Sequence, residues 1–404
     1  MIPVAEAIAK VAAGCSLLPG EQVALPDALG RVLAEDVASR LTQPFADVSA
    51  MDGYAVRAAD VASVPATLTL IGQSAAGHNF AGSVGPGQAV RIFTGAPVPA
   101  GADAIVIQED TEASGSRVVV REGVAAGRYV RPAGGDFARG DVLLRAGRVL
   151  TARDIGIAAA MNVPWLMVRR RPRVAILSTG DEVVMPGDPL GPNQIVSSNS
   201  LALAAYVRVL GGEPIGLGIA RDNEDSLRTL AAGARGADLL VTIGGASVGD
   251  HDLVRRVLGE AGLALAFYTI AMRPGKPLIF GHLAGIPMLG LPGIPVSAGV
   301  CSVLFLRPAL RVMQGLPAVE ATPQTARLGR DLAANDRRED YLRASLARDA
   351  EGNLVATPFE RQDSNLMALF AQADCLVVRP PLAPPAPQGE TVHIVRLDIA
   401  AFAI

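Results

Sequence analysis

A glycine-rich loop with acidic residues is the segment of this sequence whose residue types best suit phosphate and metal chemistry. It lies in LLVTIGGASVGDHD (residues 239–252), where a strand pattern runs into small residues ahead of a predicted helix. Backbone N–H groups of such a loop suit a phosphate, and carboxylates beside it suit hydrated Mg²⁺. The alternative is a tight turn with Asp252 as helix N-cap. The residues concerned are Gly244, Gly245, Ser247, Gly249 and Asp252.

Acidic side chains also follow two other predicted strands. VAILSTGDEV places Thr179, Gly180 and Glu182 at one strand end, and GIARDNED places Asp222 at another. Loops that follow parallel strands share one edge of a doubly wound sheet, so these carboxylates can face the glycine-rich loop. A helix N-cap cluster explains Asp222 equally well.

A basic turn and a proline-containing loop complete this group of segments. RPGKP places Arg273 and Lys276 on a turn between strands, where cations can offset the charge of a phosphoanhydride. A solvated hairpin tip is the competing interpretation. LGLPGIPVS ends a strand and starts a helix, and Pro292 and Pro295 stiffen the loop between them.

Three polar residues outside this region also lie in turns or after strands. They are Asp52 in SAMDGYAV, Thr94 in RIFTGAPVPAGADAIV and Asp136 in AGGDFARGD. Each of them can be an ordinary turn residue instead.

The composition indicates a globular, multidomain protein. Of the 404 residues 50% are hydrophobic and 19% charged, the net charge is −3, and this length suggests roughly two to four domains. No block of Lys and Arg stands out and only 4% of residues are aromatic, so nucleic acid is not an expected partner. The three cysteines are far apart, which favours free thiols in a reducing cytoplasm.

No membrane segment is expected. The N-terminal MIPVAEAIAKVAAG lacks the basic start and the continuous apolar core of a signal peptide. The stretch 277–305 carries no Asp, Glu, Lys or Arg, but prolines and glycines interrupt it. We therefore predict buried core there and not a transmembrane helix.

Hydrophobic periodicity predicts a multidomain α/β plus β protein. Residues 1–40 are predicted to be helical, β-rich runs follow, and RAGRVLTARDIGIAAAMNV is helical again, so a β-rich domain interrupts a helical one. Alternating strands and helices then predict a doubly wound, mostly parallel α/β domain, and the last strands predict a small β-barrel or sandwich. The predicted domains are helical domain I (1–44 and 138–171), β-rich domain II (45–137), α/β domain III (172–315) and β-barrel domain IV (316–404).

Six motifs, in order along nearly the whole chain, resemble the molybdopterin molybdenumtransferase family, which includes the C-terminal domain of gephyrin. They are SAMDGYAV, FTGAPVPAGADAIV, STGDEV, GGASVGDHD, RPGKP and LPGIPVS. The resemblance implies a molybdopterin-binding α/β domain in a four-domain subunit, paired as a homodimer in which other domains complete the cleft. It also implies a reaction in which adenylylated molybdopterin and molybdate enter, molybdenum goes onto the dithiolene and AMP leaves, with Mg²⁺ required.

The resemblance also implies roles for individual residues. Glu182 and Asp252 would bind Mg²⁺, and Arg343 would hold molybdate or the pterin phosphate. The implied catalytic residues are Asp52, Thr94, Asp136, Glu182, Asp222 and Asp252. The implied binding residues are Thr179, Gly180, Gly244, Gly245, Ser247, Gly249, Arg273, Lys276, Pro292, Pro295, Arg343 and Ser364.

The sequence departs from the family's pattern at four positions. Ile294 stands where the family usually has Asn, Arg273 where many members have Lys, Thr269 where some have Lys, and Gly135 where an acid is common. Two other functions therefore stay open. One is a molybdopterin adenylyltransferase, which the α/β domain also resembles, and the other is a pterin-binding carrier or scaffold, which Ile294 favours. Transient contacts with molybdopterin adenylyltransferase and with molybdoenzyme maturation proteins are further expected partners.

Overall fold

The segments on both sides of residues 45–137 fold together. The computed structural model describes residues 1–245, 253–319 and 323–397. Strand Gly20–Ala24 pairs antiparallel with Trp165–Arg169, and Val37–Ala38 pairs with Val142–Leu144. Side chains from both flanks share one hydrophobic core. The exact boundaries of the four predicted domains stay predictions.

The prediction that residues 1–40 are helical is wrong beyond the first helix. Helix Val4–Ala13 begins after Pro3 and ends at Gly14, and the next helix of this region is Ala152–Ala160. Pro19 and Gly20 do not favour helix, and the chain pairs there with a strand that begins at Trp165. Local periodicity could not reveal this pairing because the partner strand lies far away in the sequence.

Residues 45–137 carry a six-stranded sheet, here named the inserted sheet, as the β-rich pattern predicted. A further pair of short strands, Val48–Ser49 and Val130–Arg131, joins the two ends of this segment. The strand order of the inserted sheet is Ala104–Ile107, Gly53–Val56, Gln88–Ile92, Ala66–Ser74, Arg117–Val120 and Thr111–Ser114. Short 3-10 turns in the first 137 residues are Leu25–Asp27, Ala58–Val61 and Gln108–Asp110.

The next region contains a doubly wound, mostly parallel sheet, here named the α/β sheet, as predicted. Along Arg173–Thr179, Val174 and Ile176 face one hydrophobic core while Ala175 and Leu177 face another, so both faces of the sheet are covered. The strand order is Glu213–Ala220, Arg173–Thr179, Leu239–Ile243, Ile286–Leu291, Pro277–Leu283 and Leu263–Thr269, with the first four strands parallel. The short strands Val183–Val184 and Ile195–Val196 pair outside this sheet.

Helices cover the α/β sheet. They are Asn199–Val209, Glu224–Ala232, Leu253–Glu260, Pro295–Cys301 and Arg307–Met313, with a π-helical turn at Ser302–Leu306. The continuous segment Pro295–Met313 is long and apolar enough to span a bilayer by length and composition, but 78% of its apolar window is buried inside the fold. This segment is therefore a helix of the protein core. It overlaps the apolar stretch 277–305, for which the sequence predicted buried core.

The last strands close into a small β-barrel, which decides between the barrel and the sandwich. Glu339–Arg348 pairs with both Leu354–Pro358 and Cys375–Arg379, and this double pairing completes the ring. Met272–Arg273 adds to the barrel edge and thereby attaches it to the α/β region. The other barrel strands are Gln324–Leu328 and Thr391–Arg396, and a short helix is Met367–Phe370.

Candidate functional site

The carboxyl ends of three neighbouring parallel strands meet at one edge of the α/β sheet. Thr179 ends the first strand, and its hydroxyl donates a hydrogen bond to the carbonyl of Ile243, at the end of the second, over 3.3 Å. The N–H of Gly244 donates to the carbonyl of Leu291, at the end of the third, over 3.1 Å. The loops that begin at these residues therefore share one site.

The loops at this edge contain glycines, which have no side chain to cover the backbone. Gly244 and Gly245 have φ values of 84° and 65°, in the left-handed region that favours glycine. A Cβ at Gly244 would lie 3.0 Å from the Thr179 carbonyl oxygen, and one at Gly293 would lie 3.5 Å from the Gly244 Cα. A side chain at Gly244 would thus crowd the Thr179 backbone, whereas one at Gly293 would make an ordinary van der Waals contact with Gly244. The predicted residues Ser247, Gly249 and Asp252 lie outside the described residues.

The acidic groups next to this edge contact one another. The Asp181 N–H donates to the Asp222 carboxylate over 3.4 Å, and the Asp222 N–H donates to the Asp181 carboxylate over 3.1 Å. Asn223, not Asp222, is the N-cap of the following helix, because its side chain accepts from the N–H of Ser226. Asp222 thus fixes the loop that carries the exposed Glu182.

These carboxylates do not by themselves form a closed metal cage. Within the described ranges, no group of three or more His, Cys, Asp or Glu side chains is arranged to hold a metal ion. A cation here would therefore need substrate oxygens, water or residues 246–252 as additional ligands.

The two cations of the RPGKP turn have different surroundings. Arg273 forms ion pairs with Asp336, at 3.3 Å, and with the buried Asp340 of the β-barrel. The hydrogen bond to Asp340 holds the pKa of Arg273 above its usual range. Lys276 is exposed and makes no ion pair within the part of the chain that the structure describes. Arg273 is therefore paired with carboxylates and is not part of a solvated hairpin tip. Lys276 is the cation of this turn that has no ion-pair partner among the described residues.

The LPGIPVS loop meets two other segments. Pro292 is buried, and Pro295 is the first residue of the helix that follows. Ile294 is the N-cap residue, 48% exposed, and has no side chain that could cap the helix. The Asn199 side chain donates to the Gly293 carbonyl over 2.7 Å. The sequence predicts Asn199 or a nearby Ser as the cap of its helix. In the structure the N-cap is Ser198, and Asn199 contacts the LPGIPVS loop instead, a contact that the sequence did not predict.

The β-barrel brings Ser364 and Arg343 toward this loop. The carbonyl of Ser364 accepts a hydrogen bond from the Val296 N–H over 3.1 Å. Arg343 is fully buried, and its guanidinium donates to the carbonyl of Asp363 over 3.2 Å. Its Nε and Nη1 have no hydrogen-bond partner among the described residues. Burial lowers the pKa of Arg343, an effect that Asp363 opposes.

A second polar pair lies in two turns beside the ends of strands Gly53–Val56 and Gln88–Ile92 of the inserted sheet. The Asp52 carboxylate oxygen Oδ1 accepts hydrogen bonds from the Thr94 N–H, over 2.7 Å, and from its hydroxyl, over 2.9 Å. These two bonds lower the pKa of Asp52. Asp136 is exposed, and its N–H donates to the carbonyl of Gln43. The structure thus joins Asp52 to Thr94, but among the described residues no hydrogen bond joins Asp52, Thr94 or Asp136 to the α/β sheet.

The remaining predicted positions have simple surroundings. The carbonyl of Thr269 accepts a hydrogen bond from the N–H of Ile2, and Gly135 is exposed in a turn. The three cysteines are buried, and none of them is in a disulfide. None of these residues adds a reactive group to the α/β sheet edge or to the Asp52–Thr94 pair.

Comparisons with known proteins assign all these segments to one family. Residues 2–162 match the model of the MoeA N-terminal region (domains I and II), residues 175–312 a probable molybdopterin-binding domain, and residues 325–397 the MoeA C-terminal region (domain IV). A molybdopterin molybdenumtransferase of Nostoc sp. is 39% identical over 94% of this chain and 89% of the relative. One from Haemophilus influenzae is 34% identical over 93% of both chains.

A solved structure shows the same fold. It is the molybdopterin biosynthesis MoeA protein from Pyrococcus horikosii, 33% identical in sequence, with a TM-score of 0.87. The match covers 98% of this chain and 99% of that chain.

Proposed function

The chain belongs to the molybdopterin molybdenumtransferase family of enzymes, and we propose that it inserts molybdenum from molybdate into adenylylated molybdopterin with Mg²⁺-dependent release of AMP. The observation that carries the proposal is the meeting of three parallel strand ends at one edge of the α/β sheet, where Thr179 is hydrogen-bonded to Ile243 and the glycine Gly244 to Leu291. A glycine-containing edge of this kind lets a phosphate approach main-chain N–H groups, which is how open α/β sheets bind such ligands.

Charge complementarity supports a pyrophosphate at this edge. Hydrolysis of the anhydride bond, in which the oxygen of a water molecule bonds to phosphorus as the bridge breaks, leaves two separate phosphate groups, and the added negative charge requires nearby cations. In the proposal, Lys276 supplies one cation, because it is exposed and has no carboxylate partner in the described ranges. Arg273 belongs to the same turn, and its ion pairs with Asp336 and Asp340 hold that turn in place. Gly245 and Ser247 would contact the phosphate, with Thr179, Gly180, Gly249, Pro292 and Pro295 around it.

Mg²⁺ fits the donor set on this edge. Glu182 offers an exposed carboxylate, and Asp222 holds the loop that carries it through the bond to Asp181. Glu182 and Asp252 would hold the ion together with substrate oxygens and water, since Mg²⁺ usually takes one or two protein carboxylates. When bound, the ion would neutralise charge that develops on the phosphate oxygens.

Arg343 and Ser364 fit the molybdate or the terminal phosphate of the pterin. A buried guanidinium with two unpartnered nitrogen atoms is costly unless an anion reaches it. Molybdate is such an anion. Ser364 contacts the LPGIPVS loop, and its neighbour Asp363 accepts a hydrogen bond from Arg343, so the two segments lie side by side. The second substrate would therefore be held between the barrel and the α/β sheet.

Turns within residues 45–137 supply the remaining proposed catalytic residues. In the homodimer that the family resemblance implies, Asp52, Thr94 and Asp136 would complete the cleft of the other subunit; within the described residues no hydrogen bond joins them to the α/β sheet of their own chain. We place the protein in the cytoplasm, in transient contact with molybdopterin adenylyltransferase and with molybdoenzyme maturation proteins. Relatives that match 94% of the chain favour this enzyme over a lone adenylyltransferase.

A turnover assay with matched glutamate variants tests the proposal. Purified protein, adenylylated molybdopterin, Mg²⁺ and molybdate are mixed, and AMP is measured. Glu182→Gln removes an exposed carboxylate at the carboxyl edge, whereas Glu213→Gln removes one at the start of a strand of the same sheet. Asp252→Ala extends the test to the predicted loop.

AMP release that needs molybdate and Mg²⁺, and that falls at least about 100-fold in Glu182→Gln but not in Glu213→Gln, is the expected result. Equal activities of both glutamate variants would remove Glu182 from the site. Binding of adenylylated molybdopterin without AMP release would indicate the carrier function instead, and Ile294→Asn would then show whether the missing amide is the cause.

A further inference from the structure

Arg91 contacts both chain segments that carry the Asp52–Thr94 pair. Its Nη1 donates a hydrogen bond to the carbonyl of Gly53, the residue after Asp52, over 3.1 Å. Its guanidinium lies 4.9 Å from the ring centre of Phe93, the residue before Thr94. Arg91 therefore links the two turns through a single planar group.

Two more contacts fix the plane of this guanidinium. It lies 5.0 Å from the ring centre of the buried Tyr54, and Nη2 donates to the Gln108 side chain over 2.6 Å. Tyr54 and Arg91 are cross-strand partners in the inserted sheet, so the sheet register sets their approach. Arginine suits this position because a planar fork can stack and donate at the same time, which an ammonium group cannot.

The Asp52 carboxylate has one committed oxygen and one available oxygen. Oδ1 accepts both hydrogen bonds from Thr94, while Oδ2 accepts none from the residues that the structure describes. The turn that carries Asp52 leads directly into a close backbone approach, because a side chain on Gly53 would overlap the carbonyl of Val106. The direction of the available oxygen thus depends on how the Asp52 and Thr94 turns are held together.

We propose that Arg91 is a positioning residue that fixes the Asp52 carboxylate against Thr94, so that the available oxygen is presented to the substrate. This inference rests on the proposed function, because it needs Asp52 to act on adenylylated molybdopterin. Arg91 does not have to touch the substrate itself. The Thr94 hydrogen bonds are the main reason why the pKa of Asp52 is lowered, and the positive charge of Arg91 acts in the same direction.

A role in sheet stability alone makes a different prediction. Such a role would lower the amount of folded enzyme and leave the kinetic constants of the folded fraction unchanged. A positioning role changes kcat while KM stays nearly constant, because the substrate is still bound but meets a misdirected carboxylate.

Three variants separate the two roles. Arg91→Ala removes the guanidinium, and Arg91→Lys keeps the charge without the planar fork. Arg121→Lys is the matched control, since Arg121 pairs with Glu112 at the far edge of the same sheet. Folded fraction is measured by calorimetry, and kcat and KM by AMP release. Arg91→Ala is also assayed with added guanidinium, and separately with equal ammonium.

We expect Arg91→Ala to lower kcat by about 10- to 100-fold with KM changed less than about threefold. Arg91→Lys should fall between Arg91→Ala and wild type, Arg121→Lys should match wild type, and guanidinium but not ammonium should restore part of the lost kcat. Unchanged kcat in folded Arg91→Ala would overturn the inference, and so would equal rescue by ammonium. A wild-type enzyme that releases no AMP would instead overturn the proposed function.

Discussion

Replacement of Arg343 by methionine should stabilise the ligand-free protein. Arg343 is fully buried, and two of its nitrogen atoms have no partner within the described ranges, while the third donates to the carbonyl of Asp363. Each unpartnered group costs about 1–3 kcal/mol, and loss of the one charged hydrogen bond costs about 1.5–3 kcal/mol. The variant should therefore gain on the order of 1 kcal/mol in free energy of unfolding of the barrel.

Hydrogen exchange of the strand Glu339–Arg348 measures this change locally, since that strand carries Arg343 and its amides report the opening of the barrel. Slower exchange in Arg343→Met than in wild type is expected without ligand. With molybdate at about 100 times its dissociation constant, wild type should gain about 2.7 kcal/mol and the variant nothing.

Two results would refute the reasoning. Faster exchange in ligand-free Arg343→Met would mean that the guanidinium stabilises the barrel by itself. Equal protection by molybdate in both proteins would mean that the anion does not reach Arg343.

Further predictions concern a helix cap, a loop and a close contact. Asp154 is buried in a capping box; burial raises its pKa, but hydrogen bonds from Arg148 and Thr151 outweigh this and lower it below 3.8. The contribution of ionised Asp154 to the free energy of unfolding is therefore complete above the pKa of Asp154 in the unfolded chain. It is lost as pH falls through the lower pKa of the folded protein, so the denaturation midpoints of wild type and Asp154→Asn should converge in acid. Ile294→Asn should add a helix cap worth about 1 kcal/mol, measured by hydrogen exchange of the following helix. Gly299→Val should displace the Phe370 ring that fills the space above Gly299 and cost about 1–3 kcal/mol, measured by calorimetry against Gly259→Val, where the space is open.

The sheet edge could be predicted from the sequence because its signals are local. Three predicted strands end in loop sequences, namely GG, STGDE and LPG. Each of these sequences predicts a loop at the end of a strand, and parallel topology brings such strand ends together. The structure places the first residues of these loops in direct contact. The same logic could not show which of the residues 246–252 would contact a ligand. Residues 246–252 lie outside the described residues.

The surroundings of Arg273 and Arg343 could not be predicted in this way. One carboxylate partner of Arg273 is Asp340, 67 residues later in the chain, and the pairing of a barrel strand with the RPGKP turn brings the two together. The burial of Arg343 depends on closure of the barrel. The same limit explains the false helix after Gly14, where pairing with a distant strand replaced the local preference.

The stoichiometry of a single turnover tests the central claim most directly. Enzyme in excess over adenylylated molybdopterin is mixed with Mg²⁺ and molybdate, and the AMP released and the molybdenum bound to the pterin are measured in the same sample. Equimolar AMP and pterin-bound molybdenum is the predicted result. AMP without pterin-bound molybdenum, or adenylylated molybdopterin that stays intact, would contradict the assignment of this sheet edge to molybdenum insertion.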